Sequence, residues 1–287
     1  MQLITKNISK NYGKKQVLQD FSLHLNQGII GLLGPNGAGK STLMKIWASA
    51  LRPSSGQLYL DDVNLLKDTK FLRSNLGYLP QDFGVYPNLT GREFLTYLGT
   101  LKGLSGRLLS YRVDSLLEAV NLMEVADSTT LNGYSGGMRQ RIGISQVLLN
   151  DPKLMIFDEP TVGLDPTERI RFREMLLALS KDKIIIVSSH IVSEISSIAD
   201  QVVIMKKGTL LLNNRVQDSI HSLKGRIHEQ NVNKEQLDDI KKKYPVVQSG
   251  ISNSGYNVRY ISDKEEANAW VKDPSLEDVY VQTISNV

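Results

Sequence analysis

Apolar and polar positions in residues 1–224 switch repeatedly between two periods. Residues 3–10 and 17–25 alternate apolar with polar, which predicts two half-buried strands paired through a turn at Tyr12-Gly13. Gly28–Leu33 is a short apolar run closed by Gly34-Pro35-Asn36-Gly37, after which the spacing predicts a helix over residues 40–50. Residues 154–157 and 183–187, the latter apolar from Ile184 on, show the pattern of parallel strands buried on both faces. Residues 201–205 and 209–212, joined by Lys206-Lys207-Gly208, predict a hairpin. Strands alternating with helical patterns predict an α/β sheet.

Between residues 84 and 150 the strand period vanishes. Thr90 and Glu93 form a capping box that opens an apolar-periodic helix through Leu101. Val113, Leu116, Leu117 and Val120 then fall at helical spacing, as do Met138, Ile142 and Leu149. A helical subdomain inserted at about residues 84–150 is the economical reading. The pattern changes again near Lys224-Gly225. Residues 226–232, 246–252 and 256–261 are strand-like, and residues 233–244 predict a helix with Leu237 and Ile240 on one face. A last helix follows Pro274, with Ser275 able to cap it and Glu277 and Asp278 suited to its first turn. The expected division is residues 1–224 and residues 225–287. Charge shifts at the same place: 26 basic and 20 acidic side chains precede it, 8 basic and 10 acidic follow.

Composition narrows the function classes. The 287 residues suffice for one large domain or two unequal ones. With no cysteine, disulfide scaffolds, thiolate metal sites and cysteine nucleophiles are excluded. Charged residues at 22% and a net charge of +4 describe neither a disordered chain nor a simple basic nucleic-acid binder. The chain has no Arg-rich or aromatic-interleaved patch, so no nucleic-acid partner is expected. No apolar run approaches the roughly 18–20 residues of a membrane span, and the N-terminal residues enter the strand alternation directly. A soluble protein without a signal peptide is expected, its membrane role, if any, coming through a partner.

The chemistry begins at Gly34-Pro35-Asn36-Gly37-Ala38-Gly39-Lys40-Ser41, which fits the P-loop pattern G-x-x-x-x-G-K-[ST]. Glycines let backbone N–H groups turn toward phosphate oxygens, and the following helix N-terminus favours anions. Lys40 suits the β- and γ-phosphates, and the Ser41 hydroxyl suits Mg²⁺. The strand 154–157 ends in Asp158-Glu159. A P-loop enzyme needs a carboxylate there for the Mg²⁺ water shell, the role of Asp158, and Glu159 one residue on can polarise an attacking water. A guanine-nucleotide reading fails for want of Asn-Lys-x-Asp, since Asn233-Lys234-Glu235-Gln236 lacks the aspartate.

With these motifs in order, Tyr134-Ser135-Gly136-Gly137-Met138-Arg139-Gln140-Arg141 resembles the signature sequence of ATP-binding cassette (ABC) transporter ATPases. The resemblance covers about residues 1–215. It implies a P-loop NTPase core with an antiparallel β subdomain and an inserted helical subdomain, the small C-terminal α+β domain being additional. By the same resemblance the ATP-binding residues are Tyr12, stacking on adenine, and Gly34, Pro35, Asn36, Gly37, Ala38, Gly39, Lys40, Ser41 and Thr42. Glu159, His190, Gln81 and Lys40 are catalytic, with Ser41, Gln81 and Asp158 at the metal. Ser135, Gly136, Gly137 and Met138 act on the nucleotide of a partner subunit, and Asp165 lies in the loop that crosses to it. Tyr134 and Met138 depart from the commoner Leu-Ser-Gly-Gly-Gln form.

The resemblance further implies a Mg²⁺-dependent ATPase at the cytoplasmic face of the cell membrane, peripheral to it. Two ATP molecules would be sandwiched head-to-tail between two ATP-binding subunits, identical or not, and drive separate transmembrane permease subunits. Phe83, Val85, Tyr86 and Leu89 form an apolar cluster suited to docking that permease. The closing stretch, Pro274-Ser275-Leu276-Glu277-Asp278-Val279-Tyr280-Val281, looks like that of the drug, antibiotic and lipid-linked export branch. The alternative is a soluble ABC ATPase acting on ribosomes or DNA. Against it stand the single P-loop and the lack of sustained heptads.

Overall fold

The structure, a computed structural model, describes residues 1–252, 255–264 and 268–285. β1 (Gln2–Tyr12) and β2 (Lys15–Asn26) form an antiparallel hairpin. β3 (Gly28–Leu33) then enters a second sheet and runs into α1 (Lys40–Trp47). β4 (Ser55–Leu60) and β5 (Val63–Asn64) return to the first sheet, giving the order β2-β1-β4-β5. After α2 (Thr69–Asn75), β6 (Leu76–Leu79) takes the edge of the second sheet.

The helical insertion consists of α3 (Gly91–Leu101), α4 (Gly106–Ala119) and α5 (Gly136–Leu148). The Thr90 hydroxyl accepts from the Glu93 N–H at 3.2 Å and the Glu93 carboxylate accepts from the Thr90 N–H at 2.8 Å, so the predicted capping box opens α3. Then come β7 (Leu154–Asp158), α6 (Pro166–Leu179), β8 (Ile184–Ser188), α7 (Val192–Ser196), β9 (Gln201–Lys206) and β10 (Thr209–Arg215). The second sheet has the order β10-β9-β3-β8-β7-β6, parallel throughout except for β10.

Its central strands carry apolar residues on both faces because both faces are covered. Ile30, Leu32, Leu154, Ile156, Ile184 and Ile186 face α1 and the first sheet. Ile29, Leu33, Met155, Phe157, Ile185 and Val187 face the helical insertion and α6. Trp47 is fully buried on the first side, its indole N–H donating to the Thr5 hydroxyl at 2.9 Å.

Several elements differ from the expected pattern, two of them for a plain local reason. The helix expected over residues 40–50 stops at Trp47, because Ser49 adopts φ 55° and turns the chain out. β6 shows no continuous apolar run in the sequence because Gly77 and Tyr78 interrupt it. A Cβ at Gly77 would meet the Val147 carbonyl, so α5 packs there only against glycine.

The tail adds α8 (Val216–His221), β11 (Ile227–Val232), α9 (Lys234–Lys243), β12 (Val246–Ser252), β13 (Gly255–Ile261), β14 (Trp270–Lys272) and α10 (Leu276–Ser285). Its antiparallel sheet has the order β12-β13-β11-β14. On one face Val232, Val258 and Tyr260 pack with Leu237 and Ile240 of α9. On the other, Ile227 and Ile261 join Leu276 and Val279 of α10 in the same core as the helical insertion. α10 packs on α7 and α8, and the Lys206 ammonium donates to the Ile284 carbonyl at 2.8 Å. Arg259 fastens α10 from the sheet side, with Nε and Nη2 donating to Asp278 at 2.8 and 2.7 Å. Among the described residues no helix is long and apolar enough to cross a membrane.

Candidate active site

The segments that follow the carboxyl ends of β3, β6 and β7 line one cleft of about 620 Å³, within the usual range for a ligand site. β3 delivers the P-loop. Gly39 at φ 105° is the N-cap of α1; no side chain caps the helix and its first turn holds no acid, so its leading N–H groups are left for an anion. At Gly34 a Cβ would run into the Met205 carbonyl of β9, which holds the loop close to the sheet. Lys40 is buried and folds back on its own loop, its Nζ donating to the Gly34 carbonyl at 2.6 Å and the Pro35 carbonyl at 3.4 Å. Burial lowers its pKa from the ordinary lysine value, while the Glu159 and Asp158 carboxylates pull it back up.

β7 supplies the acids. Asp158 is 2% exposed, and its Oδ1 accepts the Ser188 hydroxyl proton at 2.7 Å. Glu159 follows at φ 52°, a left-handed conformation that non-glycine residues rarely adopt. Its Oε2 accepts from Gln81 Nε2 at 3.3 Å and lies 3.5 Å from His190 Nδ1. Tyr78, beside Gln81 on the same segment, has its hydroxyl pushed up to about 12, first by burial and then by the Asp158 charge.

Asn36, Gly37, Ala38, Gly39, Lys40, Ser41, Thr42, Gln81 and Glu159 line this one cleft. Gly34 and Pro35 accept from Lys40 beneath it. Asp158 pairs in register with Ser188, and His190 stands at the Glu159 edge, its side chain 58% exposed. Tyr12 is not among the lining residues. Its ring is half exposed, with the Lys10 ammonium 5.2 Å from the centroid.

The signature residues are elsewhere. Ser135 caps α5, its hydroxyl accepting from the Met138 N–H at 3.2 Å, and none of residues 135–138 lines the cleft. Gly137 lies against the Gly163 carbonyl, and a Cβ there would approach it to 2.9 Å. Met138 packs against the helical-subdomain core, which accounts for an apolar side chain at that position. Tyr134 is buried, its hydroxyl filling the space that a side chain at Gly91 would need. Asp165 caps α6, its Oδ1 accepting from the Glu168 N–H at 2.9 Å with Pro166 at the first helical position.

Four further residues belong to the site. Lys15 and Lys207 line the cleft, the latter on the β9–β10 turn, where the Gly208 N–H donates to the Ala38 carbonyl at 2.8 Å. Ser188 bonds Asp158, as above. Glu194 accepts the Thr161 and Ser189 hydroxyls, both at 2.8 Å, and so joins the loop after Glu159 to the loop bearing His190. Only the Lys-Lys-Gly turn left a sequence signal. The others depend on contacts between distant strands.

Comparison with known proteins agrees with this geometry. Residues 18–162 match the family model described as ABC transporter. The chain is 39% identical over 217 residues to the ABC transporter ATP-binding protein YxlF of Bacillus subtilis, covering 75% of this chain and 72% of that one. It is 38% identical over 210 residues to the bacitracin transport ATP-binding protein BcrA of Enterococcus faecalis, covering 72% and 67%. The dimeric structure of MJ0796, a bacterial ABC transporter cassette, superposes with a TM-score of 0.69 at 26% identity, over 74% of this chain and 98% of that one. A match to the family model over half its length, with relatives this similar across most of theirs, settles the membership: this protein belongs to the ABC transporter family and is one of its ATP-binding cassettes.

Proposed function

We propose that this chain is the ATP-hydrolysing subunit of a membrane exporter, acting as a head-to-tail dimer on separate transmembrane permease subunits at the cytoplasmic face of the cell membrane. One observation carries the catalytic reading: Glu159 is held between Gln81 and His190 at the cleft that Lys40 and the free N-terminus of α1 also line. Lys40 exchanges the Gly34 and Pro35 carbonyls for the β- and γ-phosphates of ATP, and the N–H groups at residues 36–42 receive the remaining phosphate oxygens. Tyr12 offers its ring to adenine.

The donors Ser41, Asp158 and Gln81 are all hard oxygens, too few for a self-sufficient metal site. No group of three or more acidic, histidine or cysteine ligands occurs among the described residues. That set fits Mg²⁺, which keeps several waters and arrives with the phosphates. Bound there, Mg²⁺ supplies charge neutralisation at the β- and γ-oxygens. Glu159 takes a proton from the water that attacks the γ-phosphorus, and the bond to the ADP oxygen breaks. Gln81 and His190 keep the carboxylate aimed during this step. Ser135, Gly136, Gly137 and Met138 meet the partner subunit's nucleotide, and Asp165 follows the loop that crosses to it. Hydrolysis removes the γ-phosphate contacts and loosens the dimer.

Export is supported by the relative named for bacitracin transport. For the permease contact, Phe83, Val85 and Leu89 are partly buried against the helical core, whereas Tyr86 is 53% exposed, edge-on to Tyr97 at 5.5 Å. Tyr86 and Tyr97 are therefore the docking residues we assign, and Tyr86→Ala is expected to weaken co-purification with the membrane subunit while basal turnover persists. The main test is sedimentation of Glu159→Gln. It is expected to dimerise with ATP and Mg²⁺ and to revert to monomer when Lys40→Ala is added. A monomer at saturating ATP would end the sandwich reading.

A further inference from the structure

Ser188 has no role in the reading above beyond its contact with Asp158, yet its surroundings point to one. The parallel register sets it directly beside Asp158 on β7 and beside Leu32 on β3, and it is 0% exposed. A hydroxyl has one proton to give and two lone pairs. The Ser188 proton goes to Asp158 Oδ1 at 2.7 Å, and its oxygen receives the Glu159 N–H at 2.9 Å. One buried hydroxyl therefore holds the side chain of residue 158 and the main chain of residue 159.

The second bond is made where the backbone most needs it. β7 ends at Asp158, so the Glu159 N–H has left the ladder, and the residue sits at φ 52°. A left-handed non-glycine residue persists only where its surroundings over-determine it. Turning back to an ordinary extended or helical conformation would re-aim the Glu159 side chain away from Gln81 and His190. We infer that Ser188 is a positioning residue for the reaction: it holds Glu159 in the left-handed conformation that aims its carboxylate between Gln81 and His190. The inference rests on the proposed role of Glu159.

The test uses the full chain as wild type, Ser188→Ala, Ser188→Thr and Glu159→Gln. For each, steady-state ATP turnover, mant-ATP affinity and thermal melting are measured, with assays run below the lowest melting transition. Ser188→Ala removes only an oxygen, so its packing survives. Its kcat is expected to fall about 30-fold, or about 2 kcal/mol on the barrier. ATP affinity should stay within about twofold, because the lost bonds act on Glu159 and not on the P-loop. Ser188→Thr keeps the hydroxyl and is expected to recover most of the rate. A Ser188→Ala kcat within twofold of wild type overturns the inference. So does a loss of ATP affinity that matches the loss of rate, or a threonine variant that melts like wild type but turns over like alanine. If Glu159→Gln hydrolyses ATP normally, the role of Glu159 falls and this inference with it. If Glu159→Gln is dead while Ser188→Ala is fully active, the inference falls alone.

Discussion

Asp158 at the end of β7 and Asp278 in α10 are both buried carboxylates, at 2% and 0% exposure, and the fold treats them oppositely. Asp278 accepts two bonds from the Arg259 guanidinium, one from the Ser275 N–H and one from the Ser275 hydroxyl, all between 2.7 and 2.8 Å. Burial alone would raise its pKa. The Arg259 and Ser275 hydrogen bonds, with the Arg259 charge, overcome that and hold it below the ordinary carboxylate value. Asp158 has one protein donor among the described residues, the Ser188 hydroxyl. In the tail the carboxylate's hydrogen-bonding capacity is spent on holding α10 to the sheet. At the end of β7 most of that capacity has no protein donor among the described residues. Neighbouring Glu159 shows the same economy, being kept in a left-handed backbone beside the P-loop cleft.

The same chemical change at each aspartate should separate the two uses. Asp278→Asn leaves the Arg259 charge without its partner and is expected to cost about 3–5 kcal/mol in guanidinium unfolding, with little change in turnover per folded molecule. On the proposed metal role of Asp158, Asp158→Asn is expected to lower turnover on the order of 100-fold while its melting temperature holds or rises. A large stability loss in Asp158→Asn would erase the contrast. Acid sharpens it further. Because the folded-state pKa of Asp278 is depressed, its contribution is complete above the unfolded carboxylate value and disappears as pH falls through the folded one. Wild type and Asp278→Asn should therefore differ in melting temperature at pH 7 and begin to converge only once pH falls below about 4, the ordinary carboxylate value. The smallest effect is expected at His228. It is 2% exposed, neither ring nitrogen has a hydrogen-bond partner among the described residues, and the ring stacks on Tyr260 at 5.8 Å. His228→Phe should change stability by less than about 1 kcal/mol, in the favourable direction. A clear loss would mean that the tail satisfies its imidazole as carefully as its carboxylate.

Local patterns foretold the elements whose cause is local. Gly28–Leu33 stands as read, the Thr90 capping box closes with both of its bonds, and the Lys206-Lys207-Gly208 turn joins β9 to β10. The P-loop glycines and Lys40 could be recognised because their spacing is itself the chemistry. What stayed hidden is set by register between distant strands. Ser188 lies beside Asp158 only because β7 and β8 pair in parallel at that offset, and no periodicity encodes the offset. β14 is three residues long and exposed throughout, too short and too polar in its surroundings to stand out. β6 was concealed by the very glycine that lets α5 approach it. Nor did the change of composition near residue 224 foretell the packing, in which Leu276 and Val279 join the core beneath Ile195 and Val216.

That shared core has a consequence for how the polypeptide is made. The apolar ground around α7 and α8 is covered by residues 276–285, more than fifty positions further along the chain. A nascent chain that has just released residue 224 from the ribosome still shows this ground to the cytosol, and it stays bare until α10 emerges and docks. Translation that stalls within the tail would thus leave a sticky intermediate, a substrate for chaperones rather than a finished motor.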